Sequence, residues 1–298
     1  MELSQEAHHL IVRHVGNRRD LLTLCRVSKR FQKEAERALY NTLHLRGYQH
    51  TIAMCRLLAS TPRLSALVVA LSIFVTDDGS YQSDDSDQEG SPVPDDYWEA
   101  VAAALRHTKR LSYLNIYFEE ANDTSQAWVL DGCTFKLRTF HCDFEWDTHL
   151  SSFLDTQSEL SDLYLADYRR DSSNHMSAPN FPRLPKLSIL ECAFTDGVAA
   201  LVPGRPVLRV KTCFSRPRID EKRKELNELL SKLTLTRKPL RALDLADESY
   251  TVEFTFELLS STINVLSAFN HLRYLGTLVL PVNGDQVRAP SFNPKYAP

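Results

Sequence analysis

The chain has 298 residues, of which 43% are hydrophobic and 24% charged, with a formal net charge of −3. That composition fits a soluble, foldable protein of one large domain or two ordinary ones, with enough apolar residues for a core without staples. A charge so close to neutral supplies no general attraction to nucleic acid or to an anionic membrane.

Six cysteines (Cys25, Cys55, Cys133, Cys142, Cys192 and Cys213) are scattered through apolar runs and form no CxxC pair. Such spacing suits a reduced compartment, so a cytoplasmic and/or nuclear location is expected. The start, MELSQEAHHL, has neither the basic nor the apolar region of a signal peptide. The most apolar run, at 65–75, is too short to span a membrane.

Residues 1 to about 40 read as three short helices. Ser4 is placed to cap the first, whose apolar face is Ala7, Leu10, Ile11 and Val15, and Gly16-Asn17 to end it. Asp20 is placed to cap a second helix bearing Leu21, Leu22 and Leu24. Ser28 is placed to cap a third, with Phe31, Ala35, Ala38 and Leu39 on one side and Glu34 and Glu36 on a solvated side. Three helices of this size bury little, so the module is expected to pack on something else.

Residues 76–97 are acidic and serine-rich, with too few large aliphatics to order themselves by burial. Within them, Ser86 with Glu89 three residues on has the form of an acid-directed phosphorylation site, a pattern common by chance.

From about residue 98 a phrase recurs: apolar-x-x-apolar-x-apolar. It reads Leu111/Leu114/Ile116, Leu137/Phe140/Cys142, Leu160/Leu163/Leu165, Leu184/Leu187/Ile189, Val207/Val210, Leu240/Leu243/Leu245 and Leu272/Leu275. From Leu114 through Phe140, Leu163, Leu187 and Val210 the middle positions step by 26, 23, 24 and 23 residues. The steps on to Leu243 and Leu275 are 33 and 32, and helix-like segments at 220–233 and 254–269 fill them. The shorter steps fall within the roughly 20–29 residues of leucine-rich repeats. Each unit would then place its leucines in a core that only its neighbours complete. A degenerate earlier unit is expected at Leu64/Leu67. An ordinary α/β domain of alternating strands and helices would give the same coarse pattern.

The first forty residues resemble the F-box. Leu3-Ser4-Gln5-Glu6 stands where that family has Leu-Pro-x-Glu, and Ile11 falls near the end of the first helix. Asp20-Leu21-Leu22 opens the second, and Val27-Ser28-Lys29-Arg30-Phe31 leads into the third. ALYNTLHL at 38–45 is similar to the passage of many fungal F-box proteins into their repeats. Ser4 departs from the family's proline, and His8-His9 stand where aliphatics are common. The resemblance covers about 45 residues directly. Joined to the recurring phrase and to the composition, it gives an α/β architecture: an F-box-like module at 1–45, a leucine-rich-repeat array at 46–282 forming a curved parallel sheet with outer helices and carrying a disordered acidic insert at 76–97, and a loose tail at 283–298. It also implies docking on the Skp-family adaptor of a cullin–RING ubiquitin ligase through Leu3, Ser4, Ile11, Leu21, Leu22, Val27, Ser28 and Phe31, some of which must also serve the local core.

Catalytic signatures are missing from the sequence. His8, His9 and His14 lack metal-ligand spacing and read as surface residues. Cys133 and Cys142 lack companion ligands. No GxSxG, GxxxxGK[ST] or GxGxxG occurs. Glu119-Glu120 read as solvated. The basic cluster Arg216, Arg218, Lys222, Arg223 and Lys224 is interrupted by Asp220, Glu221, Glu225 and Glu228, and reads as a solvated helix face with an Asp220–Lys224 pair.

In a repeat array the residues between the core leucines of each strand line one face. Here they are Asn115, Tyr117, His141, Asp143, Tyr164, Ser188, Lys211 and Asp244, a candidate strip for a target protein. A one-residue slip in register would exchange that set for its neighbours. The expectation is a non-enzymatic ligase adaptor without cofactor or metal, monomeric apart from its complex and contacting neither nucleic acid nor membrane. A leucine-rich scaffold whose helices only cap the array is the alternative, and an enzyme with an unrecognised site is a third reading.

Overall fold

Serine side chains start two of the three N-terminal helices. In the structure, a computed structural model, residues 3–76, 92–118, 124–167, 183–247, 251–265 and 271–276 are described. Helix α1 (Gln5–Arg13) begins where the Ser4 hydroxyl accepts from the Ala7 N–H at 3.2 Å. Helix α2 (Arg18–Val27) is capped by Asn17, whose side chain accepts from the Arg19 N–H at 2.9 Å; Asp20 lies inside its first turn. Helix α3 (Lys29–Tyr40) begins where the Ser28 hydroxyl accepts from the Phe31 N–H at 3.2 Å. Gly16 does not take the left-handed conformation expected of a helix stop. Helix α1 closes at His14 in ordinary helical geometry instead.

Val12, Leu21, Ala35 and Leu39 form the core of these helices, with Val15, Leu24, Cys25, Phe31 and Tyr40 packed around them. The buried face of α1 differs from the expected one: His8 and Val12 are inside, while Leu10 and Ile11 are exposed. His8 is therefore not a surface histidine. Its Nδ1 lies 2.7 Å from the Ser4 carbonyl, and its ring meets Phe31 edge-on at 4.5 Å. With a polar atom satisfied by its own helix, the imidazole packs as an aromatic. Glu34 is likewise buried rather than solvated, 3.1 Å from His9 Nδ1.

The chain divides into two compact units, Met1–Ala193 and Phe194–Pro298. In the first, α3 leads into β1 (Thr42–Arg46), α4 (Tyr48–Ser60), α5 (Pro62–Ser65) and β2 (Ala70–Val75). There follow α6 (Tyr97–His107), β3 (Tyr113–Phe118), a 3-10 turn at Ala127–Leu130, β4 (Thr139–Glu145), α7 (Thr148–Asp155), β5 (Asp162–Asp167) and β6 (Ile189–Cys192). These six strands are all parallel and lie side by side in chain order. The α/β class expected from the sequence is therefore present. Gly47, at φ 76°, makes the turn from β1 into α4, a conformation that side chains with a Cβ resist.

Apolar ladders run across the strands. Leu43, Leu71, Leu114, Phe140, Leu163 and Leu190 share one register position; Leu45, Ile73, Ile116, Cys142, Leu165 and Cys192 share the next inward position. All are buried. A third ladder, Val68, Leu111, Leu137, Leu160 and Leu187, precedes the strands and is also buried. A backbone fork recurs between neighbours. Two successive N–H groups before a strand donate to one carbonyl of the preceding segment: Ser112 and Tyr113 to Val69, Arg138 and Thr139 to Ser112, Ser161 and Asp162 to Arg138, Ser188 and Ile189 to Ser161. The polar backbone at the strand entrances is thereby satisfied by the neighbouring segment.

Two registers differ from expectation. The first strand is β1, with Leu43 and Leu45 inward, so the boundary expected at 45/46 falls inside a strand; the Leu64/Leu67 unit is in fact Val68/Leu71/Ile73. The phrase expected at Leu184/Leu187/Ile189 sits three residues later, at Leu187/Leu190/Cys192.

The second unit contains α8 (Thr195–Leu201), β7 (Arg209–Cys213), α9 (Ile219–Leu233), β8 (Ala242–Ala246), α10 (Val252–Val265) and β9 (Tyr274–Leu275). Its strands are also parallel and in chain order, with Val210, Leu243 and Leu275 in register. Helices α9 and α10 occupy the two segments predicted to be helical. Lys222 is not on a solvated face: it is buried, with Nζ 2.6 Å from both carboxylate oxygens of Asp247. Asp220 pairs with Arg223 at 3.0 Å, rather than with Lys224. The tail at 283–298, Glu119-Glu120 and Ser86 with Glu89 lie outside the described residues.

Candidate protein-interaction surfaces

The helical module leaves much of its apolar surface uncovered. Leu3, Leu10, Ile11, Leu22 and Val27 are all exposed, Leu22 at 54% and Val27 at 60%. A groove of about 510 Å³ runs between α1 and α2, lined among others by Ile11, His14, Val15, Asp20 and Leu24. Contiguous exposed apolar surface on a small body is characteristic of a surface that another protein covers, and of these five residues Ile11 lines the groove. Of the eight residues expected to dock on an adaptor, Leu21 belongs to the core and Phe31 is packed against it. Leu3, Ser4, Ile11, Leu22, Val27 and Ser28 are exposed, with the two serines also serving as caps.

The second surface is the outer face of the strands in the first unit. Side chains alternate, so the residues between the apolar ladders share the opposite face. Asn115 and His141 stand in register, followed by Tyr164 and then Glu191. Tyr113 meets His141 edge-on at 6.1 Å, and His141 meets Tyr164 at 5.9 Å. His141 Nε2 lies 3.4 Å from Asp162 Oδ1. Along the edge nearer the strand ends, the Arg46 guanidinium sits 4.4 Å above Phe74, which is 6.3 Å from the exposed ring of Tyr117. Burial, with the nearby carboxylates of Asp143 and Glu191 adding to it, pushes the Tyr164 phenol up to about 12.

Asn115, Tyr117, His141 and Tyr164 therefore lie on one face, as expected. Asp143 is buried, and its Oδ2 accepts the Phe118 N–H at 2.9 Å, so it closes the end of β3 as well as lending negative charge nearby. Ser188 is a correction: it precedes β6, and its hydroxyl donates to the Ser161 carbonyl at 3.0 Å. The register position assigned to it belongs to Glu191, which the misplaced leucine phrase concealed. Lys211 and Asp244 are register partners in the second unit. Asp244 lies against Gly276, where a Cβ would run into its carboxylate.

Ser112 and Ser161 repeat the bond made by Ser188, donating to Val69 and Arg138. Ser188→Ala is accordingly expected to cost about 0.5–1.5 kcal/mol of stability, measured by urea unfolding, while leaving any binding to the strand face unchanged. A larger effect on binding than on stability would return Ser188 to the recognition strip.

Among the described residues no cluster of three His, Cys, Asp or Glu side chains could hold a metal ion. Burial pushes the thiols of Cys55 and Cys133 up to about 12, and raises those of Cys142 and Cys192 further still, which holds all four as unreactive thiols at neutral pH. No helix among the described residues is long and apolar enough to cross a membrane. No family model matches the chain, and no curated protein matches it either.

Proposed function

We propose that the protein is a substrate-recognition adaptor of an SCF-type cullin–RING ubiquitin ligase. The N-terminal helices dock on the Skp-family adaptor, and a leucine-rich-repeat array presents a target protein. The observation that carries this reading is the set of exposed aliphatics on α1, on α2 and just before α1, at Ile11, Leu22, Val27 and Leu3, where the F-box resemblance puts the docking surface. The strict chain order of the parallel strands, the shared register of their leucines and the recurrent backbone fork support the repeat reading. In this role the chain performs no chemistry. It raises the effective concentration of the target near the charged enzyme.

The test is capture of the Skp-family adaptor by the purified full chain, wild type against Leu22→Asp/Val27→Glu. Both side chains are exposed, so the variant keeps its fold, checked by circular dichroism, whereas replacing Phe31 would disturb the module's core. Wild-type capture with a loss of about a thousandfold in the variant is expected, since two central anchors of an interface are each worth about 2 kcal/mol or more.

A scaffold whose helices merely cap the array is favoured by one observation: Glu36 of α3 pairs with Arg63 of α5, which ties the module to the first strands. Failure of the folded wild type to capture the adaptor at micromolar concentration would select that second reading.

A further inference from the structure

We propose that the strand-entrance edge of the second unit binds an acidic polypeptide segment, whose carboxylates are received by Arg209, Arg241 and Arg273. The inference names the kind of target for the adaptor role and rests on that role for its biological setting, but the binding can be measured without the ligase.

The segments that lead into β7, β8 and β9 lie side by side. Arg241 and Ala242 donate their N–H groups to the Leu208 carbonyl, and Arg273 and Tyr274 donate theirs to the Arg241 carbonyl. The Arg237 N–H reaches the Arg205 carbonyl at 2.9 Å. Residues 202–208, 234–241 and 271–273 contain no aspartate or glutamate. They bring together the exposed side chains of Arg237, Lys238, Arg241 and Arg273. Arg209, also exposed, opens β7 in register with Ala242, the residue after Arg241. Neighbouring strands lie about 4.8 Å apart, so Arg209, Arg241 and Arg273 spring from within two strand spacings.

These cations do no work for the fold. Arg205 does: it is buried, and its Nη1 donates to the Leu201 carbonyl at 2.7 Å. Among the described residues, the side chains of Arg209, Arg237, Lys238, Arg241 and Arg273 have no hydrogen bond, ion pair or ring contact. In the first unit Ser112, Ser161 and Ser188 hold the fork position of Arg241 and Arg273, and their hydroxyls donate to the neighbouring segment. The two arginines forgo that bond, and like charges on neighbouring strands repel. An incoming anion relieves the repulsion. The one carboxylate on the face of β7–β9 among the described residues, Asp244, is half-buried against Gly276 and in register with Lys211. Arginine forks receive carboxylates by two parallel hydrogen bonds, which suits glutamate and aspartate. Ala242, small and set between Arg209 and the exposed Tyr274, leaves space for an extended chain to cross. A nucleic acid fits less well, since single strands are held by rings under successive bases and Tyr274 is one ring.

The experiment is fluorescence anisotropy of the full chain with a labelled Glu-Ser repeat peptide, its Arg-Ser counterpart and an oligothymidylate of similar length. The glutamate peptide is expected to bind, and more tightly than either of the others. Arg241→Ser/Arg273→Ser installs the residue that the first unit carries at this place, so the fold is kept, as circular dichroism checks. That variant is expected to bind the glutamate peptide about tenfold more weakly, through the loss of two ion pairs. Arg216→Ser/Arg218→Ser, exposed beyond the other end of β7, is the control and is expected to bind as the wild type does. No binding of the glutamate peptide, tighter binding of either other probe, or equal effects in the two variants overturns the proposal. Both variants are expected to capture the Skp-family adaptor as the wild type does. Failure of the peptide arm with capture intact therefore sinks this inference alone, and failure of capture with peptide binding intact sinks only the ligase role.

Discussion

Asp247→Ala is expected to destabilise the C-terminal unit by about 3–5 kcal/mol, because it strands the Lys222 ammonium in the interior. The two side chains are only 4% and 3% exposed, and Nζ lies 2.6 Å from each carboxylate oxygen. Phe254 covers the ammonium from another side, its ring centroid 5.8 Å away. With both side chains this deeply buried, the cost exceeds the 0–1 kcal/mol of a surface pair. The exposed pairing of Arg223 with Glu257 gives the comparison within the same unit. Glu257→Gln is expected to move stability by less than about 1 kcal/mol. The double change Lys222→Met/Asp247→Leu removes both charges and is expected to recover most of the loss. Urea unfolding measures all three variants without the screening that guanidinium salts introduce. A loss below about 1 kcal/mol for Asp247→Ala would mean that Lys222 escapes to solvent once its partner is gone.

Much of the fold was legible because the core imposes a repeating spacing. The run from Leu111 to Leu165 was read in its true register, since the two inward residues of a short strand and the apolar residue before it always keep the same separation. The same rule misled at Leu184. Leu184, Leu187 and Ile189 reproduce the spacing, and both leucines are buried, but Leu184 has a φ of 38° and belongs to the turn before β6. Spacing cannot distinguish a buried turn leucine from a strand leucine. The backbone fork to Ser161 does, and it exists only in three dimensions. Tyr40, Leu43 and Leu45 also carry the phrase, yet their place within a passage resembling an F-box linker drew attention away from a first strand.

The candidate surfaces were legible to different degrees for related reasons. Leu22 and Val27, both exposed, were expected on a surface only because the resemblance singled them out, whereas periodicity assigns large aliphatics to a core by default. His8 was misread because a histidine counts as polar in any pattern, while here the Ser4 carbonyl satisfies its Nδ1 and Phe31 takes its ring. Glu191 was missed through the slip in register alone. Face positions carry no periodic constraint of their own, so each is only as well placed as the core residue beside it. That dependence couples the recognition face to the packing beneath it.

Trp98→Ala tests that packing. Trp98 opens α6 and is buried in an aromatic cluster, stacked on Phe118 at 5.6 Å and edge-on to Tyr97 and Phe144 at 5.1 and 6.1 Å. Phe118 and Phe144 touch each other at 5.9 Å. Truncating a buried tryptophan to alanine is expected to cost about 3–5 kcal/mol, and the lost ring pairs put this site toward the upper end. Against a total stability of roughly 5–15 kcal/mol, the variant should unfold at much lower urea. Trp98→Phe keeps a ring in the cluster and should lose less than half as much. Phe118 ends β3 next to Tyr117, and Phe144 follows Asp143, whose carboxylate closes that strand end through the Phe118 N–H. The cavity thus lies beside the strand ends that carry Phe118 and Phe144. A loss below about 1 kcal/mol for Trp98→Ala would mean that the neighbouring rings close over the space it leaves.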